Sequence, residues 1–80
     1  MRARVYVSLK KSVLDPQGKT IHHSLQNIGF EQITEVRQGK FFEIDFASEL
    51  TREEVQAEVE KIARDVLTNP VIEEFSYRIE

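Results

Sequence analysis

The strongest constraint on the fold of this chain is a hydrophobic period that switches from two residues to about 3.6 and back, twice within eighty residues. Residues 2–10 alternate strictly. Ala3, Val5, Val7 and Leu9 fall on one side, and Arg2, Arg4, Tyr6, Ser8 and Lys10 on the other, which predicts a strand with one buried face. After a short loop over 11–14, Asp15-Pro16 announces a helix. An N-cap aspartate accepts a hydrogen bond from an otherwise unpaired N–H, and proline fits the first helical turn, where its missing N–H is not needed. Ile21, Leu25 and Ile28 follow at i, i+4 and i+7 as one apolar stripe, and Gly29 stands where a left-handed cap is wanted.

Alternation resumes from Gln32 to Phe46, broken at Gln38-Gly39-Lys40, where Gly39 is expected to supply the positive φ of a tight hairpin. In its second arm Phe42, Ile44 and Phe46 face in, while Phe41, Glu43 and Asp45 face out. The first arm, Ile33 to Arg37, alternates less well and suits a bulged or edge strand. Thr51-x-x-Glu54 is a capping box opening a second helix, with Val55, Val59, Ile62 and Val66 at i, i+4, i+7 and i+11. Asn69-Pro70 ends it, and 71–79 form a last strand with Phe75, Tyr77 and Ile79 on one face. The expected fold class is therefore α+β: a ferredoxin-like βαββαβ two-layer sandwich. A four-stranded antiparallel sheet carries two helices on one face, with strands one and three central, as a single domain over 1–80.

A domain of this size buries only about 60% of the surface its unfolded chain exposes, so a disulfide, a metal or association must supplement the core. Cysteine is absent, which leaves association. With 14 acidic and 11 basic residues and a net charge of −3, the chain has no basic stripe for a nucleic-acid backbone. No apolar stretch approaches the roughly 18 residues of a membrane span, and the N-terminus runs straight into a strand pattern instead of a signal peptide. A soluble cytoplasmic protein, binding neither nucleic acid nor membrane, is the expectation.

Catalytic constellations are not visible. His22 and His23 are sequence neighbours that diverge by about 100° on a helix and cannot close on one metal. Serines 8, 12, 24, 48 and 76 have no visible base, and the glycines at 18, 29 and 39 form no phosphate loop. Glu53, Glu54, Glu58 and Glu60 read as a solvated helix face. The open sheet face presents Tyr6 and Phe41, where an RNA-recognition domain places stacking rings, but Gln38 to Glu43 lacks the required motif. Flanked by Arg4, Lys10, Glu43 and Asp45, those rings suit a protein contact. The last strand, at a sheet edge, offers unpaired backbone groups across which a homodimer could form.

Three stretches carry a family resemblance. They are Val13-Leu14-Asp15-Pro16-Gln17-Gly18-Lys19, followed by Leu25 and Gly29-Phe30; Val36-Arg37-Gln38-Gly39-Lys40; and Leu67-Thr68-Asn69-Pro70-Val71-Ile72-Glu73. In order and spacing the set resembles the PurS family, the small subunit of phosphoribosylformylglycinamidine synthase, also called formylglycinamide ribonucleotide amidotransferase. His22-His23, Ser12, Thr68 and Phe75 depart from the family pattern, none of them at a cap or turn.

The resemblance implies a complex of three proteins in de novo purine biosynthesis. A glutaminase subunit releases ammonia, and a large synthetase subunit uses ATP and Mg to activate the amide that ammonia attacks. The small subunit, a homodimer or tetramer, bridges them and binds no cofactor of its own. It would not catalyse alone but would serve an ATP- and glutamine-dependent carbon–nitrogen ligase. Candidate contact residues are Gln17, Gly18, Lys19, Gly39 and Lys40 on loops or helix starts, Tyr6 and Phe41 on the open face, and Asn69 and Pro70 from the third stretch. The rival expectation is an ACT-type ligand-binding regulatory domain, which shares the element order. Its usual glycine after strand one is missing from Lys11-Ser12-Val13-Leu14.

Overall fold

The N-terminal alternation becomes β1 (Arg2–Leu9), the central strand of the sheet. In this computed structural model, which describes residues 1–80, β1 is followed by α1 (Pro16–Asn27), β2 (Gly39–Asp45), α2 (Arg52–Ile62), a π-helical turn (Ala63–Leu67) and β3 (Glu73–Ile79). The sheet is antiparallel in the order β2-β1-β3, with Val5 opposite Phe42 on one side and Tyr77 on the other. Ala3, Val5 and Val7 are fully buried beneath Val55, Val59 and Ala63 of the second helical segment. Around them Phe42, Ile44, Phe46, Phe75, Tyr77 and Ile79 are only partly covered. The four fully buried valines contribute about 1.5–3 kcal/mol each, so a few side chains carry most of the stability.

Helix α2 begins as its sequence requires. Glu54 N–H donates to Thr51 Oγ1 at 3.2 Å, and Thr51 N–H donates to Glu54 Oε1 at 3.0 Å. Its apolar stripe runs as expected through Val55 and Val59, then changes phase. The π-helical turn adds about one residue to the last turn, so Val66 rotates out to 74% exposure and Leu67 packs on the core instead.

Three expectations are corrected here. The sheet has three strands, not four, because Ile33 to Arg37 form none. Strand three, now β2, is therefore an edge, and only β1 is central. Gly39 makes no hairpin: the only positive-φ residue is Gly29, at 107°, where the helix cap was expected. Gly39 instead starts β2, where a side chain would come within 2.8 Å of the Val7 carbonyl oxygen. Nor do both helices lie on the sheet. No residue of α1 joins the core, and Ile21 and Ile28 are 40% and 71% exposed.

The reason lies in the chain's entry into β2. Asp15 Oδ1 accepts from Gly18 N–H at 3.0 Å, capping α1, while its Oδ2 accepts from Gln38 N–H at 2.6 Å. Arg37 donates to the carbonyls of Lys10 and Val13 at 3.0 and 2.8 Å. These bonds hold residues 37 and 38 beside the 10–15 loop, so the chain enters β2 from there instead of reversing on itself. Helix α1 and the segment after it project as an arm. The radius of gyration is 16.2 Å, against about 12 Å for a compact chain of this length.

Asp15 is thus a buried joint between sheet and arm. The Gln38 N–H, then the Gly18 N–H, hold its carboxyl below the ordinary value of 3.8. A depressed folded-state value means the contribution is complete above about pH 4 and is lost as pH falls further. Asp15→Asn keeps one acceptor and turns an amide donor toward the other N–H. Its thermal midpoint at pH 7 is expected to drop by about 4–8 °C, the shift for losing one buried hydrogen bond in a domain this small. Between pH 4 and 2 it should lose less further stability than the parent. Equal midpoints at pH 7 would contradict the joint.

Candidate functional site

Two surfaces emerge from the candidate residues. On the sheet face away from α2, Tyr6 and Phe41 are cross-strand partners with ring centroids 6.0 Å apart, 39% and 56% exposed. The charges around them are spent within the chain. Arg2 reaches Asp45 at 2.8 Å and Glu43 at 3.0 Å, and Arg4 reaches Glu80 at 3.1 Å and Glu43 at 3.5 Å. The Asp45 hydrogen bond raises the Arg2 guanidinium, and the same bond lowers the Asp45 carboxyl. Exposed pairs of this kind add little stability, but they neutralise the field, leaving an aromatic pair as the patch's distinctive feature. Lys10, expected on the rim, makes none of these pairs; its backbone N–H donates to the Ile72 carbonyl.

The second surface is one end of the sheet. Ser8 pairs with Gly39 and Leu9 with Glu73, so the end of β1 and the starts of β2 and β3 coincide. There Ser8, Asp15, Gln17, Gln38, Lys40 and Glu73 line a shallow polar cleft. Gln38 Nε2 donates to Gln17 Oε1, tying the start of α1 to the start of β2. Lys40 Nζ lies 3.8 Å from Glu73 and 5.8 Å from the Phe42 ring centre. Gly18 packs so tightly that an added Cβ would strike the Val36 carbonyl, and Lys19 points along the arm toward His22, Glu35 and Arg37. Asn69 organises the loop before β3: its carbonyl accepts from Glu73 N–H at 2.7 Å and its Oδ1 from Val71 N–H at 3.1 Å. Pro70 is exposed beside it.

The structure therefore gathers Gln17, Gly39 and Lys40 at one cleft, sets Lys19 on the arm, and puts Tyr6 and Phe41 on a separate face. Sequence reasoning missed the exposed apolar side chains: Leu14, Ile28 and Phe30 on or beside the arm, and Val66 and Val71 near the Asn69 loop. The stripe signal was present, but it was assigned to this chain's own core. His22 was also misplaced on the solvent side; it is half-buried, and its Nε2 donates to the Ile33 carbonyl at 2.8 Å. No three His, Cys, Asp or Glu side chains converge as a metal-binding group would. No helix is long and apolar enough to cross a membrane.

A chain whose exposed surfaces are an aromatic face, a polar end and an apolar arm is built to be covered. Its relatives say by what. Residues 2–80 match the PurS family, described as Phosphoribosylformylglycinamidine (FGAM) synthase. The chain belongs to the PurS family. The PurS subunit of phosphoribosylformylglycinamidine synthase from Bacillus subtilis is 37% identical over 79 residues, covering 99% of this chain and 92% of that one. The crystal structure of Methanocaldococcus jannaschii PurS, one of the subunits of formylglycinamide ribonucleotide amidotransferase in the purine biosynthetic pathway, superposes with a TM-score of 0.86. It is 37% identical and covers 99% of this chain and 94% of that one, so the match includes the arm. The structure of PurLQS from Thermotoga maritima matches with a TM-score of 0.86 at 27% identity, over 96% of this chain and 93% of that one. PurS membership accounts for the three motif stretches of this sequence together.

Proposed function

We propose that this chain is the non-catalytic small subunit of phosphoribosylformylglycinamidine synthase in purine biosynthesis. It bridges the glutaminase and the ATP-dependent synthetase so that ammonia passes between them. The observation that carries this reading is the match to the PurS family along residues 2–80, together with a likeness to PurLQS, an assembly that contains such a subunit. Ammonia released into bulk water is protonated and lost as a nucleophile, so the two large chains need fixed docking and a shielded path. A small module with an aromatic patch and a polar docking end supplies that without chemistry of its own. ATP and Mg belong to the synthetase, and the cytoplasm is the compartment this role implies. The chain associates with itself, because its own core is too small for the surface it leaves open. An ACT-type regulatory role is not favoured, since the whole sequence follows the PurS pattern.

The test is co-sedimentation of the three chains with their substrates. Together they should move as one complex; three independent species would sink the proposal. Within that complex Lys40→Glu is expected to weaken association at least roughly tenfold, since it reverses a charge at the docking end. Because the side chain is exposed, the variant's thermal midpoint should change by less than about 3 °C. Undiminished association would remove Lys40 from the interface.

A further inference from the structure

Three demands of this fold are unmet within one chain. The backbone N–H and C=O groups of residues 32–37 bond to no other backbone group. Strand β2 pairs with β1 on one side only, leaving its outer edge bare. Helix α1 carries an apolar stripe of Ile21, Leu25 and Ile28 outside the core, while Phe42, Ile44 and Phe46 on the β2 side remain half-covered by α2.

These demands are complementary. A bare strand edge accepts an unpaired segment, and a half-covered apolar face accepts an amphipathic helix. In the fold read from the sequence, a hairpin at Gly39 would satisfy both inside one molecule. Gly39 is instead extended, the hairpin is open, and the arm points away. An opened hairpin whose contacts remain unmade is the signature of exchange between identical chains.

We propose, resting on the self-association read above, that α1 and residues 31–38 of one copy complete the sheet of a second copy, and reciprocally. Residues 31–38 pair along the outer edge of the other copy's β2, and α1 lays its stripe over Phe42 and Ile44 there. A twofold axis near Gln38-Gly39 relates the two. Each half then becomes a two-layer unit of four strands and two helices, built from both chains. The areas agree. The chain exposes 6002 Å², whereas a compact protein of 9.3 kDa exposes about 5,000 Å². Covering that excess on both copies buries roughly 2,000 Å², within the range of stable dimers. The 51 Å long axis is also close to the length of a continuous fifteen-residue strand over 31–45, about 50 Å.

The experiment uses the intact chain. Sedimentation gives its mass, and isotope-filtered NMR on a mixture of labelled and unlabelled chains separates contacts between copies from contacts within one. Exchange predicts a multiple of 9.3 kDa, with cross-copy signals from Ile21, Leu25 and Ile28 methyls to the Phe42 ring. A dimer lacking those signals, for instance one joined along β3, overturns the exchange but leaves self-association standing. A 9.3 kDa particle overturns both. Inserting Asn-Gly after Gln38 supplies the turn that lets the arm close on its own sheet. It is expected to yield a monomer whose radius of gyration falls by about a quarter, toward that of a compact chain. A variant that stays dimeric with an unchanged radius counts against the hinge.

Discussion

Val5→Asp is expected to leave no cooperatively folded protein at 25 °C. Val5 is at 0% exposure in the middle of the central strand, between Phe42 and Tyr77 and beneath the valines of α2. A carboxylate there would be desolvated with no cation or N–H to receive it, because every backbone partner nearby is engaged in the sheet. Burying an unpaired charge costs several kcal/mol, and the lost valine contacts add about two more. A domain of eighty residues has on the order of 4–12 kcal/mol in total, and this one has few buried side chains to spare. Tyr6→Asp, one residue along on the exposed face, is the control and should melt within a few degrees of the parent. Thermal melts by circular dichroism check both. A Val5→Asp melt close to the parent's would mean that the core is not where β1 and α2 meet.

What the sequence made legible follows from how local each signal is. The strict alternation of residues 2–9 and the Thr51/Glu54 capping box are complete within a few residues, and both elements form as read. So does the Asp15-Pro16 start of α1. The failures are failures of destination. Ile21, Leu25 and Ile28 do form a stripe, yet nothing in a helical period says which sheet it will meet, or in which molecule. The hairpin expected at Gly39 rested on glycine's tolerance of positive φ, when the glycine serves a close approach to the Val7 carbonyl. The competing bonds, from Asp15 to Gln38 and from Arg37 to Lys10 and Val13, join residues 23–27 positions apart and have no local signature. The π-helical turn that exchanges Val66 for Leu67 was equally hidden, since an α-helical period assumes a constant rotation per residue.

The candidate contact residues show the same division. Gln17, Gly39 and Lys40 were singled out for their motif positions, and the strand register brings them to one end of the sheet. Their meeting depends on β1 lying between β2 and β3, a tertiary fact. Tyr6 and Phe41 were legible as a pair, because alternation put both on the same face and antiparallel pairing made them neighbours.

The second large effect concerns the assembly. When this chain is left out of a mixture of its glutaminase and ATP-dependent partners, amidine formation from glutamine is expected to fall on the order of 100-fold, as misdocking of reacting centres does. Formation from added ammonium should persist, because the synthetase site receives its nucleophile from solution and needs no partner to deliver it. Restoring the chain should rescue the glutamine reaction, and the Val5→Asp variant should not. The ratio of the glutamine rate to the ammonium rate, measured with and without this chain, is therefore the direct test of a docking role. A ratio that collapses on omission agrees with the account; one that is the same in both mixtures contradicts it.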